Sequence, residues 1–103
     1  MMTVEIKGAI LPVKICDEMI SQAVGLMGRS GENALFIYKR DVRHGIHTWL
    51  CQTLQLIYLD KNKRVLETVI LKPFRTHTCC TPYRYLLEIS RPIKIKKGEK
   101  IYF

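Results

Sequence analysis

Three histidines and four cysteines are the residues of this chain best able to bind a metal or act in catalysis. Two of the histidines, one cysteine and the only tryptophan lie in the stretch HGIHTWLCQT at 44–53. A structural zinc site needs about four ligands, each within about 2.3 Å of the ion. A catalytic cysteine needs a histidine within hydrogen-bond distance and a group that orients it. The spacing of these residues therefore decides whether either chemistry is available.

The spacing argues against an ion shared by His47 and Cys51. The stretch TWLCQTLQLIYLD is rich in Thr, Trp, Leu, Ile and Tyr, which favours a strand, and four strand residues span about 13 Å. His77 and Cys79 would share one face of an extended segment, but HTCC lacks the doubled CxxC spacing of strong zinc motifs. We predict no metal site and no cofactor. The weak candidates are His47, His77 and Cys79, which stay open because the His-Cys-Cys loop could fold back toward His47.

Few features of the sequence point to catalysis. It has no glycine-rich phosphate loop, no GxSxG motif and no paired-carboxylate motif. Nothing around Cys79 or Cys80 matches a cysteine-hydrolase signature. We therefore expect a protein that is not an enzyme, with a metal- or thiol-dependent enzyme as the third hypothesis.

The composition indicates one globular domain over residues 1–103. The chain is 48% hydrophobic and 25% charged, which is ordinary for a folded domain. The N-terminal stretch MMTVEIKGAILPVKIC lacks the basic segment and long apolar core of a signal peptide, and no stretch has the roughly 18 apolar residues of a membrane span. We expect a cytoplasmic protein with reduced thiols and no membrane association, either a monomer or a weak homodimer.

The positive charge is concentrated after residue 38. The formal net charge is +8; residues 1–38 hold three basic and four acidic side chains, and residues 39–103 hold fourteen and five. A one-sided positive field attracts polyanions, although lysines also serve simply to solvate exposed strands. A nucleic-acid site would use the basic side chains interleaved with tyrosines near the end of the chain. These candidates are Arg84, Arg91, Lys94, Lys96, Lys97 and Lys100.

Hydrophobic alternation with a period of two predicts a mostly β (α+β) fold. Turns are expected near Gly8 and at DKNK (60–63), where Asn62 is the expected left-handed residue. Pro12 predicts that the second strand lies at a sheet edge. A loop is expected over 72–82 and a strand over 83–89. One short helix is expected to begin at Asp17. The fold class that we predict is a compact curved antiparallel sheet or small barrel of about seven short strands, with one short N-terminal helix.

Six stretches of the chain resemble, in order, segments of one known family. GLMGR (25–29) and ALFIY (34–38) resemble GLM-x-R and M-L-F-x-F, and HTWLCQT falls where that family carries W-M-K-N-T. LQLIYLDKNKRVLET (54–68) resembles L-D-I-x-F-L-D…G-x-V. RYLLEI (84–89) and IKKGEKIYF (95–103) resemble R-Y-V-L-E-L and I-x-x-G-D-x-V. The family is the domain of unknown function 192 family. The resemblance implies a compact mostly-β domain with a short helix near the GLM segment, and it implies no established activity.

The chain also departs from the segments that it resembles. Trp49 and Thr53 match, whereas residues 50–52 replace the methionine, the basic residue and the asparagine of W-M-K-N-T. Gln55 stands where the family usually has aspartate. A site for a charged ligand built on these positions would therefore be altered here.

Together these observations predict a small noncatalytic binding module with a pocket near the HTWLCQT segment, holding a small-molecule or polyanionic ligand. An RNA- or DNA-binding protein that uses the basic C-terminal half is the alternative. Each pocket residue also has a structural explanation. A tryptophan is usually a core residue, and Arg29 would pair with a carboxylate such as Glu88 or Asp60. Gln52 and Thr53 would satisfy backbone groups where the strand breaks. The candidate ligand-binding residues are Arg29, Trp49, Gln52, Thr53, Asp60 and Glu88.

Overall fold

The structure is a computed structural model that describes residues 2–16, 33–48 and 53–103. Eight β-strands lie in these ranges. They are β1 (Met2–Ile6), β2 (Ala9–Cys16), β3 (Ala34–Val42), β4 (Ile46–His47), β5 (Leu54–Leu59), β6 (Val65–Leu71), β7 (Thr76–His77) and β8 (Tyr83–Ile89).

Six of the strands form one mixed sheet in the order β1-β2-β3-β8-β5-β6, and β4 pairs with β7 separately. The prediction of a mostly β fold is confirmed. The prediction of a purely antiparallel sheet is wrong, because residues 14–16 of β2 run parallel to residues 34–36 of β3. A parallel pair needs a connection of about a dozen residues or more, and the interval 17–32 is long enough for it. Because β2 pairs on both sides, the edge position predicted from Pro12 is also wrong.

The large sheet is open, so the predicted small barrel is wrong. Its end strands, β1 and β6, do not pair with each other in the part of the chain that the structure describes. The final segment instead contacts both edges: Glu5 and Tyr102 exchange two backbone hydrogen bonds, and Arg64 forms a bridge with Lys100. The sheet therefore curls without closing.

The predicted N-terminal helix lies on residues outside the described ranges, so the structure gives it no support. Within residues 2–16, 33–48 and 53–103 there is no helix. It follows that none of the described residues belongs to a helix with the length and apolarity needed to cross a membrane.

The predicted hairpin turns form, with one difference in detail. Lys7 and Gly8 both have positive φ, 51° and 84°, which suits the tight turn of a two-residue hairpin. In the β5–β6 turn the left-handed residue is Lys63, with φ 65°, rather than Asn62. Asp60 fixes this turn because its Oδ1 accepts backbone N–H bonds from Asn62 and Arg64 at 2.8 and 3.0 Å.

Each face of the sheet carries its own hydrophobic core, and β5 contributes to both because all six of its residues are buried. One core lies inside the curl and includes Ile57, Leu87 and Ile101. The other core lies on the opposite face and includes Leu56, Tyr58 and the strand ends of β3 and β8. Side chains alternate along a strand, so neighbouring residues of β5 enter opposite cores.

Gln55 attaches the segment after β8 to the sheet. Its side chain is buried, with 3% exposed. The side-chain amide nitrogen donates to Thr68 Oγ1 at 2.9 Å and to the Ile93 carbonyl oxygen at 3.0 Å. The side-chain oxygen Oε1 accepts the Ile93 N–H at 2.8 Å. A carboxylate accepts hydrogen bonds but donates none, so an aspartate here could not make the same set. The departure from the family pattern at Gln55 thus has a structural role.

Candidate functional site

Three tyrosines and one glutamate meet on the face of the sheet that lies outside the curl. We call this buried side of the sheet the tyrosine face, and its polar residues include Tyr38, Tyr58, Tyr83 and Glu88. Tyr58 and Tyr83 are fully buried, with ring centroids 4.7 Å apart and planes at 65°. Tyr38 packs edge-on against Tyr83 at 5.8 Å. Edge-to-face packing of this kind fixes the rings more tightly than burial alone.

A hydrogen-bonded chain leads from the surface to the buried hydroxyl of Tyr58. The Tyr58 hydroxyl lies 2.9 Å from His77 Nδ1, and His77 Nε2 lies 3.0 Å from Glu67 Oε2. A carboxylate only accepts, so the neutral imidazole carries its hydrogen on Nε2 and leaves Nδ1 to accept from Tyr58. His77 and Glu67 are 22% and 28% exposed, so this chain begins in contact with solvent.

Glu67 also accepts hydrogen bonds from Cys79 and Cys80. Its Oε1 accepts the Cys80 N–H at 3.3 Å, and the thiols of Cys79 and Cys80 add further hydrogen bonds. Burial alone would raise the pKa of this carboxyl, but these bonds and His77 outweigh it and hold the pKa below its usual value. Burial raises the pKa of the Cys79 thiol to about 11, so Cys79 is protonated at neutral pH and is a poor nucleophile.

Burial also keeps the tyrosines of this face neutral. It raises the pKa of Tyr38 to about 12 and raises the pKa of Tyr58 and Tyr83 as well. The Tyr83 hydroxyl donates to the His44 carbonyl oxygen at 3.0 Å. The tyrosines therefore act as neutral hydrogen-bonding groups.

Glu88 differs from every other polar group on this face. It is 5% exposed, and within the three described ranges its carboxyl makes no hydrogen bond or ion pair. Burial raises its pKa to about 7. Buried carboxyl groups are normally paired or hydrogen-bonded, because leaving water without a partner costs several kcal/mol. Among the residues that the structure describes, Glu88 is therefore the buried acceptor of this face that has no hydrogen-bond or ion-pair partner.

The predicted ligand-binding residues do not all reach this face. Arg29, Trp49 and Gln52 lie outside the described residues. Thr53 is exposed just before β5. Glu88 pairs with Leu56 in the β5 register, whereas Asp60 lies beyond the other end of β5 and caps the β5–β6 turn. Glu88 and Asp60 therefore do not converge.

The weak metal candidates are placed as follows. The backbone of His47 pairs with Thr76, next to His77, and His77 and Cys79 both bond to Glu67. Among the residues that the structure describes, no three His, Cys, Asp or Glu side chains are arranged to hold a metal ion.

The predicted nucleic-acid residues fall into two groups. Arg84 lies on the sheet and pairs with Asp41, Nε to Oδ1, at 3.0 Å. Arg91 and Lys94 are exposed in the segment after β8. The remaining three, Lys96, Lys97 and Lys100, lie together around the turn at Gly98.

Sequence reasoning missed the chain of Tyr58, His77 and Glu67. The three residues come from β5, β7 and β6, and β7 is only two residues long. One sequence signal could have indicated part of it. Tyr58 lies on the same face as Leu56 in a strand that has no charged residue, which predicts that Tyr58 is buried. It would have placed a buried hydroxyl there, which needs a partner.

We expect the bond between Tyr58 and His77 to stabilise the fold measurably. His77→Ala should lower the free energy of unfolding by about 1–3 kcal/mol, because it leaves the buried Tyr58 hydroxyl without a partner. Adding Tyr58→Phe should recover part of this loss, and urea unfolding of the wild type, both single variants and the double variant would measure the coupling. Strictly additive losses would show that the bond contributes nothing.

We also expect Glu88 to make stability fall as pH rises. Its folded pKa of about 7 lies above the ordinary pKa of a glutamate, 4.5, so the folded state holds the proton more tightly. Stability should therefore be greatest below about pH 4.5 and should decline up to pH 7, by as much as about 3 kcal/mol. Urea unfolding across this range should show the slope in the wild type and in Glu5→Gln, an exposed control. Glu88→Gln should reduce the slope, and an unchanged slope would contradict the assignment.

The DUF192 family, described as "Uncharacterized ACR", matches residues 2–103. The UPF0127 protein PH1112 of Pyrococcus horikoshii is 33% identical over 99 residues, which is 86% of this chain and 84% of that protein. The UPF0127 protein PF1050 of Pyrococcus furiosus is 29% identical over 101 residues, 88% of this chain and 85% of that protein.

Two solved structures share the fold at lower identity. A protein of unknown function from Novosphingobium aromaticivorans DSM 12444 has a TM-score of 0.80 and 19% identity, over 98% of this chain and 82% of that chain. A protein from Sinorhizobium meliloti 1021, named a "putative transcription regulator", has a TM-score of 0.83 and 13% identity, over 96% of this chain and 88% of the other. Because the family match spans nearly the whole sequence, as the resemblance indicated, this chain belongs to the DUF192 family, which is uncharacterised.

Proposed function

We propose that this protein is a small noncatalytic binding module whose ligand site lies on the tyrosine face at Glu88. The observation that carries the proposal is the buried Glu88 carboxyl, which is 5% exposed and has no hydrogen bond or ion pair among the described residues. A ligand with a hydrogen-bond donor or a positive charge would give this carboxyl a partner. Ligand sites are typically apolar with a few such polar groups.

Glu88 lies close in the sheet to the residue that ends the stretch HTWLCQT. Thr53, the last residue of that stretch, leads into β5, and Glu88 pairs with Leu56 close to the beginning of that strand. The buried rings of Tyr38 and Tyr58 lie near Glu88 on the same face, and neutral aromatic rings attract organic cations. An amine or guanidinium group is therefore the ligand chemistry that the face suits best.

The proposal can be tested by titrating labelled protein with methylguanidinium and following backbone amide shifts by NMR. We expect shifts around residues 34, 56 and 88, the three neighbours across β3, β8 and β5. Binding should weaken about tenfold for each pH unit below 7, because protonation of Glu88 removes the charge. Glu88→Gln should abolish the shifts and Glu5→Gln should retain them. Equal shifts in wild type and Glu88→Gln would refute this site.

Nucleic-acid binding is a second candidate function, favoured by one specific observation. Lys96, Lys97 and Lys100 lie at the same end of the sheet as the β5–β6 turn, which adds Lys61 and Arg64. The name of the Sinorhizobium structure points the same way for that protein, although 13% identity supports the shared fold alone.

Salt dependence tests this second candidate. The wild-type protein should bind a labelled oligonucleotide more tightly at about 50 than at 200 mM salt, because neutralised phosphates release counterions. Fluorescence anisotropy at the two salt concentrations would measure this. A dissociation constant above about 100 μM at the lower salt would exclude the candidate, since nonspecific binders usually reach about that affinity or better.

A further inference from the structure

A basic groove of about 380 Å³ opens between the β5–β6 turn and the final segment of the chain. Its lining combines lysines with aromatic rings, and none of the described residues that form it has an acidic side chain. The lining residues are Lys61, Asn62, Lys63, Lys100, Ile101, Tyr102 and Phe103. We propose that this groove binds single-stranded nucleic acid, with phosphates at Lys61 and Lys100 and a base against Tyr102.

The groove is held in shape by several backbone contacts. Ile101 N–H donates to the Lys63 carbonyl at 3.0 Å, and Val65 N–H donates to the Glu99 carbonyl at 2.8 Å. Arg64 Nη1 adds a bond to the Gly98 carbonyl at 3.1 Å. The two turns that bear the lysines are thus joined before any ligand arrives, which lowers the entropic cost of binding.

The aromatic rings of the groove orient two of its ammonium groups. Lys63 Nζ lies 4.1 Å from the centroid of the Phe103 ring and donates to the Phe103 carbonyl oxygen. Phe103 is fixed in turn by an edge-on contact with Tyr85 at 5.1 Å. Lys100 Nζ lies 5.6 Å from the ring centroid of Tyr102. Interleaved lysines and aromatic rings are what a strand with accessible bases requires.

The carboxylates near the groove are already occupied, so they do not cancel its charge fully. Asp60 Oδ1 accepts two backbone N–H groups of its own turn. Glu99 Oε1 pairs with Lys7 at 3.4 Å and accepts the Lys96 N–H at 3.2 Å. Lys61, by contrast, is exposed and has no hydrogen bond or ion pair within the described residues. The described lining thus carries three lysine side chains and no side-chain carboxylate.

Two features favour a single strand over a duplex. Tyr102 is 56% exposed, which makes its ring accessible to an unpaired base, whereas bases inside a duplex are stacked on each other. The groove is also small, with room for a nucleotide rather than for the width of a helix. This inference rests on the second candidate function and assigns it a place and a form of ligand.

The test compares groove variants with a charge-matched control. Binding of a fluorescein-labelled oligothymidine of about twelve nucleotides would be followed by anisotropy at several salt concentrations, with a duplex and an abasic strand of the same length as the other probes. The variants are Lys61→Ala/Lys100→Ala and Tyr102→Ala. The control is Lys39→Ala/Lys72→Ala, which removes the same charge from exposed positions on β3 and after β6. Thermal unfolding would verify that all variants fold.

We expect the single strand to bind more tightly than either other probe. Each phosphate contact on a single strand contributes about 0.7 to the magnitude of the slope of log K against log salt. Lys61→Ala/Lys100→Ala removes two such contacts and should therefore reduce this magnitude by about 1.4. Tyr102→Ala should weaken oligothymidine binding about fivefold to a hundredfold and leave the abasic strand unaffected. The control should change binding less than the groove variants.

Three outcomes would overturn the inference. If the control loses as much affinity as the lysine pair of the groove, the site is a diffuse basic surface and nucleic-acid binding survives without the groove. If the abasic strand binds as well as oligothymidine, the groove is a phosphate site that reads no base. If the wild-type protein binds no probe at low salt, both the groove and the second candidate function fail together.

Discussion

The complete burial of β5 is the constraint on which the rest of this structure depends. All six residues from Leu54 to Leu59 are shielded from water, so the sheet must be covered on both faces. On one side the curl of the sheet and the segment tied down by Gln55 provide this cover. On the other side the cover includes polar residues, and there the positions of the hydrogen-bond partners decide what the face can do.

The polar groups on the tyrosine face fall into two kinds. Tyr58 is buried and satisfied, because His77 accepts its hydrogen and Glu67 orients His77. Glu88 is buried and unsatisfied by any described residue. A hydrogen-bonded hydroxyl adds about 1 kcal/mol to the free energy of unfolding, whereas a buried charge without a partner lowers it by several kcal/mol. A ligand would therefore stabilise an unsatisfied group such as Glu88 most. Glu88 is also a better ligand-binding candidate than Asp60, because the carboxylate of Asp60 already fixes a turn.

Much of the fold followed from the period of the hydrophobic residues, whereas the site depended on contacts between distant residues. The strand Tyr83–Ile89 has the bounds expected from its alternation, and the hairpins at Gly8 and 60–63 form where the turn residues stand. The expected loop from Lys72 to Pro82 contains β7, which is too short to produce a periodic signal. Tyr58 and its two partners lie on three different strands, so local spacing contained no information about the contact. Asn62 was the expected left-handed residue, but the hydrogen bonds of Asp60 place Lys63 in that conformation.

The bridges from the final segment to the two edges of the sheet also bear on how this chain folds and avoids aggregation. Glu5 forms a bridge with Tyr102, and Arg64 forms a bridge with Lys100. The contacts that hold the curled sheet thus join residues that are far apart in sequence. Nonlocal pairings of this kind slow folding, because the entropy of loop closure is lost before the contact stabilises the chain. Until they form, both edges of the sheet present unpaired backbone groups to other molecules. The same few residues that shape the groove thus also determine how long a newly made chain is exposed to aggregation.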